Sequence, residues 1–142
     1  MESLTIEREF NLPQATLYDA FKNPEIMRHW YAPDELKCTE AEVDFVVGGN
    51  WKVRMDGDTE PHIVVGEYLE IDEPNHMAFS WRWHTRQTTT RVDLHFKPLG
   101  ENQTLLTLVH SQFPDTAGRD QHSEGWLGCL QNLDKWIAEI AA

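Results

Sequence analysis

The chain has 142 residues, of which 40% are hydrophobic and 25% charged, a composition typical of one soluble globular domain and not of a disordered or fibrous protein. Twenty-four acidic against twelve basic residues give a formal net charge of −12, which repels phosphate backbones and anionic lipids. We therefore expect a single domain over residues 1–142 with neither a nucleic-acid nor a membrane partner.

The first residues lack the positive and apolar regions of a secretory signal, and no run approaches the ~20 apolar residues of a membrane span. Cys38, in an expected loop, and Cys129, on an expected helix, form no CxxC or zinc-site pattern. We expect no disulfide between them, which fits a reducing compartment. A cytoplasmic location is the resulting expectation.

The first quarter of the chain predicts a strand followed by two short helices. Ser3–Phe10 alternates between apolar and polar residues, as a half-buried strand does. Pro13 opens a short helix that Asn23-Pro24 closes, and a second short helix runs from Pro24 towards His29. An aromatic loop, Trp30–Pro33, follows.

From Glu42 onward the pattern changes to a period of two that turn residues interrupt at regular intervals, which predicts an antiparallel meander. The turn signals fall at residues 48–49, 56–58, 72–75 and 100–102. Two sets of large apolar residues share a face within their strands: Trp51, Val53 and Met55, and Met77, Phe79, Trp81 and Trp83. These sets predict one apolar side of the sheet.

The pairing of the strands can be predicted in part. A tight connection near residues 86–87 would set Phe79 beside Leu94 and Trp81 beside Val92, which keeps both apolar sets on one face. The strand over residues 63–71 is apolar on both parities, which suggests a bulge or bend near Gly66 and leaves its facing open.

For the last strand, over residues 103–111, two facings compete. Leu106, Leu108 and His110 share one parity, and Leu105, Thr107 and Val109 share the other. We favour the first set inward, which would place one polar side chain, His110, in an otherwise apolar cleft.

Ser123–Ile140 is the only long segment with clean helical periodicity. Its apolar stripe consists of Trp126, Leu130, Leu133, Ile137 and Ile140. Residues 113–120 before it are interpreted as a polar connector. Gly125 and Gly128 each cost a helix interior about 1 kcal/mol relative to alanine, so either close contact with the sheet or room for a ligand should compensate.

The order of elements is thus a strand, two short helices, about six strands and a long amphipathic helix. A single helix about 10 Å wide cannot cover the whole apolar face of such a sheet. A gap therefore remains beside the helix, and either bulky side chains or a ligand fill it.

At this point the sequence resembles the Hsp90-ATPase-activator-homologue family of the Bet v 1/START-like superfamily. The matching pieces cover nearly the whole chain in order, among them Asn23-Pro-Glu25, Trp30-Tyr-Ala-Pro33, Gly48-Gly-Asn-Trp51, Gly66-Glu-Tyr68, Phe79-Ser-Trp81, Thr104–His110 and Glu124-Gly-Trp126. The resemblance implies an α+β helix-grip fold, with a curved antiparallel sheet of about six to seven strands around a long C-terminal helix and two short helices after the first strand. It also implies a cavity between sheet and helix.

The aromatic residues that should converge on this cavity are the main functional lead. The proposed ligand-binding residues are Trp30, Trp51, Met55, Trp81, Trp83, His110, Trp126, Cys129 and Leu133. The seven histidines form neither HxH nor HExxH, and no nucleophile has a triad around it. We therefore expect no metal, no cofactor and no catalytic set.

These observations favour a protein that binds a hydrophobic or aromatic small molecule, as a monomer or a homodimer. One alternative, implied by the resemblance, is a co-chaperone-like module with a chaperone partner. The other is a cyclase- or dehydratase-like enzyme in which His110 acts as acid or base. The sequence favours binding over catalysis.

Overall fold

The computed structural model describes residues 1–33 and 35–141, and the described residues form seven strands and three helices. In chain order the elements are β1 (Glu2–Phe10), α1 (Gln14–Ala20), α2 (Pro24–Trp30), β2 (Lys37–Val43), β3 (Asn50–Asp56), β4 (His62–Asp72), β5 (His76–Trp83), β6 (Thr90–Gly100), β7 (Gln103–Phe113) and α3 (Thr116–Ala141). None of the helices in residues 1–33 and 35–141 has the apolar length that crossing a membrane requires.

The strands form one antiparallel sheet in the order β1-β7-β6-β5-β4-β3-β2. All neighbours except β1 and β7 are consecutive in the chain, so β2 to β7 form a meander and β1 adds an edge strand beside β7. The long helix α3 contacts β1, β7 and α2. This arrangement confirms the predicted α+β helix-grip fold, with two short helices after the first strand.

Both short helices begin where the sequence predicts. Pro13 precedes α1, whose first turn needs no N–H from it. The side chain of Asn23 accepts a hydrogen bond from the Glu25 backbone N–H at 3.0 Å and caps α2. The buried Trp30 ends α2, and Tyr31 and Ala32 after it are buried as well, so the aromatic segment belongs to the core.

The helix α3 begins at Thr116, seven residues before the predicted start at Ser123. The cause is Asp115, whose Oδ1 accepts a 2.7 Å hydrogen bond from the Gly118 N–H and caps the helix. Residues 116–120 are therefore helix, and the prediction of a connector through residue 120 is wrong.

The apolar stripe of α3 is buried at Trp126, Leu130, Leu133 and Ile137. The prediction fails at Ile140, which is 50% exposed, because residues 138–141 at the end of the helix are all exposed and lie beyond the core.

The inward face of the sheet follows the predicted parities. Trp51, Val53 and Met55 of β3 are buried. In β7, Leu106, Leu108 and His110 are fully buried, so the favoured facing is confirmed. The open question in β4 is answered by Val64 and Tyr68, which are buried while Ile63 and Val65 are only partly so.

Gly66 is not the site of the bulge, because the register between β4 and β5 shifts between Tyr68 and Glu70. A Cβ on Gly66 would lie 1.9 Å from the Ser80 carbonyl oxygen and 2.4 Å from Nε1 of Trp51. The missing side chain instead leaves space for the Trp51 indole, whose N–H donates to that same carbonyl at 3.2 Å.

Two further predictions need correction. Phe79 pairs with Val92 and Trp81 with Thr90, two residues from the predicted register, because residues 84–89 form a six-residue connection longer than the tight turn expected. An even shift keeps the same faces inward. Cys38 lies in β2 and not in a loop.

Candidate functional site

An open cleft of about 330 Å³ lies between the first half of α3 and the β3–β5 side of the sheet. The sheet contributes Met55, His62, Ile63, Trp81 and Trp83, the β5–β6 connection contributes His84, Thr85 and Arg86, and α3 contributes Gln121, His122, Gly125, Trp126 and Cys129. Tyr31, Pro33, Leu36 and Pro61 complete the lining. Its size is at the small end of the range of ligand pockets.

The cleft brings together five of the nine residues proposed from the sequence, namely Met55, Trp81, Trp83, Trp126 and Cys129. The other four lie outside its lining. Trp30 packs between Phe21 and Tyr31 and donates its indole N–H to the Ala20 carbonyl at 3.1 Å. Leu133 is fully buried in the core. Periodicity identified the inward-facing residues, but it does not tell which of them lie in the filled core and which line the cleft.

Trp51 and His110 are the remaining two, and both stand behind Trp81. The ring of Trp51 lies 5.6 Å and that of His110 5.3 Å from the Trp81 ring, between centroids. They therefore support the wall of the cleft without lining it.

Trp81 is the centre of an aromatic cluster. The rings of Trp51, Trp83, His110, His122 and Trp126 all lie within 6.2 Å of its own ring. Among the described residues, its Nε1 is also the one buried side-chain nitrogen or oxygen without a hydrogen-bond partner. A buried indole N–H usually has an acceptor.

A chain of hydrogen bonds fixes the state of His110. The Trp126 N–H donates to Nδ1 of His110 at 3.0 Å, so Nδ1 carries no proton and the neutral ring is protonated at Nε2. Nε2–H then donates to Thr90 Oγ1 at 2.7 Å, and the Thr90 hydroxyl donates to the Trp81 carbonyl at 3.3 Å. Every donor in this chain has an acceptor.

Burial, with a smaller contribution from His122, lowers the pKa of His110 to about 2. The ring is therefore neutral at physiological pH. Since both ring nitrogens are bound within the protein and the ring does not line the cleft, the geometry gives no support to His110 as an acid or base.

His122 is a lining residue that the sequence did not single out. Its Nδ1–H donates to the Gly118 carbonyl at 2.7 Å, and its Nε2 accepts the Trp83 N–H at 2.9 Å. Burial lowers its pKa, although the Gly118 carbonyl opposes this effect. The spacing of four between His122 and Trp126 would have identified it, had the helix been extended to its true start.

Gly125 leaves space in the wall that α3 contributes. A Cβ at this position would meet no atom within 4 Å, so close contact with the sheet is not what this glycine provides. Beside Trp126, the helix surface is open towards the cleft.

The charge of the lining differs from that of the whole chain. None of the described lining residues is acidic, whereas Arg86 and three histidines, His62, His84 and His122, are present. In a chain with a net charge of −12, this cleft is an aromatic surface whose described lining carries the positive charge of Arg86 and no negative charge.

A family model described as activator of Hsp90 ATPase homolog 1-like protein matches residues 11–138 of the chain. Comparison with curated protein sequences finds no match.

Several solved structures share the fold. The AHSA1 protein from Silicibacter pomeroyi is 26% identical and superposes with a TM-score of 0.87, covering 96% of this chain and 98% of its own. A protein from Chromobacterium violaceum is 22% identical, with a TM-score of 0.85 and coverage of 95% and 96%. An HSP90 activator from Plasmodium falciparum is 24% identical, with a TM-score of 0.76 and 96% of both chains covered.

Proposed function

Since the chain belongs to the family of activator of Hsp90 ATPase homolog 1-like proteins, we propose that it binds a small aromatic or hydrophobic molecule in the cleft beside α3. The observation that carries this proposal is Trp81, whose ring forms part of the lining while its buried N–H lacks a partner. Leaving such a donor unsatisfied costs about 1–3 kcal/mol, and an acceptor atom on a ligand would offset that cost.

The lining supports a more specific class of ligand. Trp83 and Trp126 offer flat apolar surfaces for a ring. Arg86 offers a positive charge, and His62 and His84 offer ring nitrogens for hydrogen bonds at the same site. We propose an aromatic ligand that carries an acceptor or anionic group such as a carboxylate or sulfonate.

A pair of fluorescent probes tests this function. 1-Anilinonaphthalene-8-sulfonate and N-phenyl-1-naphthylamine share one ring skeleton, and only the first carries a sulfonate. We expect both to bind at one site per chain, with the sulfonate probe tighter. Near-ultraviolet circular dichroism checks that the protein is native, because partly unfolded states bind such dyes non-specifically.

The blocking variant is Gly125→Leu, whose side chain enters the open space at that position. The matched control is Gln131→Leu, which adds the same side chain to an exposed position of α3. Binding should be lost in the first variant and kept in the second. Equal binding in both would exclude the cleft as the site.

The co-chaperone alternative is supported by the name of the family. If neither probe binds, and if wild type and Gly125→Leu retain Hsp90 equally in a pull-down, the alternative would replace the ligand-binding proposal.

A further inference from the structure

A second cluster of polar side chains lies on the other face of the sheet, away from the cleft. His76 of β5 and His95 of β6 are direct cross-strand partners, and their neighbours Met77 and Leu94 are buried. Because side chains alternate along a strand, His76 and His95 both lie on the outer face. Asp93, two residues before His95, lies on that face as well.

The three side chains are close enough to share one ion. One ligand atom from each of His76, Asp93 and His95 lies within 4.8 Å of the other two. The imidazole rings stack with their centroids 4.6 Å apart and their planes at 16°, and Nε2 of His76 is 3.0 Å from Oδ1 of Asp93. Ligand atoms around a zinc ion stand roughly 3–3.5 Å apart given its bond lengths, and the exposed His95 side chain can rotate to close that difference.

From this geometry we propose that His76, Asp93 and His95 form a binding site for a divalent transition-metal ion, with zinc as the best match. Two imidazoles and one carboxylate are the ligands that Zn²⁺ and its neighbours in the first transition series accept. Magnesium and calcium are excluded as the preferred ions, because they take mainly oxygen ligands.

The surrounding charges favour a cation. Arg91 forms ion pairs with both Asp93 and Glu70. Asp72 of β4 is the cross-strand partner of His76 on the side of β5 away from His95. Three carboxylates and one guanidinium give a local charge of −2 before any metal is bound. When Asp93 turns Oδ1 to the metal, Arg91 keeps Glu70 and still holds Oδ2 through its Nε, at 2.9 Å.

Arg91 then acts as a positioning residue, because a hydrogen-bonded carboxylate ligand is held in its orientation. The carboxylate can only accept, so the proton of the present His76–Asp93 hydrogen bond is on Nε2 of His76. Metal coordination at Nε2 must displace that proton.

The pattern is invisible in the sequence because the ligands come from two strands. The chain offers no HxH motif, but antiparallel pairing places residues 76 and 95 opposite each other. The site lies apart from the cleft and does not depend on the function proposed for it.

The test is a titration of the untagged, full-length protein with ZnCl₂, measured by isothermal titration calorimetry. Thermal unfolding with and without zinc is the second measurement. A polyhistidine tag must be absent because it binds the same ions. We expect one zinc per chain and a higher Tm with zinc than without it.

The decisive variants are His95→Ala and His76→Ala, each expected to weaken binding roughly tenfold or more. The matched control is His29→Ala, an exposed histidine on α2, which should bind zinc as the wild type does. Circular dichroism without metal verifies that the variants fold. Absence of zinc binding in the wild type, or equal affinity in His95→Ala and wild type, would overturn the proposal.

Discussion

The indole N–H of Trp126 donates to Nδ1 of His110 across 3.0 Å, and both side chains are buried. This bond joins the first half of α3 to the last strand of the sheet behind the wall of the cleft. It also determines the tautomer of His110, because an accepting Nδ1 leaves the proton on Nε2.

Trp126→Phe should lower the free energy of unfolding by about 1–3 kcal/mol beyond the effect of lost contact area. An aromatic ring is kept, but the indole N–H is lost, so Nδ1 of His110 is left buried without a donor. Trp81→Phe is the matched control, because the Trp81 N–H has no partner to lose. Urea unfolding of both variants measures the difference, and equal losses would contradict the role assigned to the bond.

Stability should fall as the pH is lowered from about 6.5 to 5. An imidazole in the unfolded chain takes a proton with a pKa near 6.5, whereas the pKa of folded His110 is about 2. Between these values the unfolded state binds more protons, so stability rises with pH, by up to about 1.4 kcal/mol per pH unit for each such histidine. The lowered pKa of His122 acts in the same direction.

The variant that isolates this effect is His110→Gln. Its side chain does not titrate, so the slope of unfolding free energy against pH should lose the contribution of about one proton, which is up to about 1.4 kcal/mol per pH unit. Urea titrations at several pH values supply the slopes. An unchanged slope in the variant would mean that His110 is protonated in the native state.

Gly125→Ala should stabilise the protein by about 0.5–1 kcal/mol, because alanine is favoured over glycine inside a helix and the new methyl group meets no atom within 4 Å. Gly66→Ala should do the reverse and destabilise strongly, since its Cβ would lie 1.9 Å from the Ser80 carbonyl oxygen. Thermal unfolding compares the two. A loss of stability in Gly125→Ala would show that the space is not open.

A double-mutant cycle measures the bond between Trp83 and His122. Trp83→Phe and His122→Ala should be coupled by about 0.5–1.5 kcal/mol, the net value of one hydrogen bond. The control pairs Trp83→Phe with His62→Ala, since His62 contacts Trp83 through its ring, with centroids 6.4 Å apart, and not through a side-chain hydrogen bond between these two described residues. Coupling of equal size in both cycles would indicate ring packing as the source.

Trp81→Phe should weaken the binding of 1-anilinonaphthalene-8-sulfonate more than the binding of N-phenyl-1-naphthylamine. The variant keeps an aromatic wall but removes the one buried donor that lacks a partner in the described residues. Fluorescence titration of both probes against wild type and variant gives the two ratios. Equal weakening would assign the effect to ring shape and leave the Trp81 N–H without a role in binding.

Sequence reasoning succeeded where a repeating pattern carries the information. The period of two in β7 predicted that His110 faces inward, and the structure buries it completely. The stripe on α3 likewise predicted the buried positions from Trp126 to Ile137. Such patterns depend on side-chain direction, which the backbone determines locally.

Sequence reasoning failed where the answer depends on contacts between distant segments. The start of α3 is an exception, because its cap is local: Asp115 accepts a hydrogen bond from the Gly118 N–H three residues later. The seven residues that the prediction missed include His122, which contacts Trp83. The register of β5 and β6 depends on the length and conformation of the connection over residues 84–89. The polar composition of this connection does not predict either property. The pairing of His76 with His95 was hidden for the same reason.

The two histidine bonds beside the cleft run in opposite directions. Trp126 of α3 donates to the sheet, and Trp83 of the sheet donates to α3. A slide of the helix along its axis by one turn, about 5.4 Å, would break both at once, whereas apolar packing alone could slip from one set of ridges to the next. The two bonds therefore fix where α3 lies along the sheet, which apolar packing alone would not do.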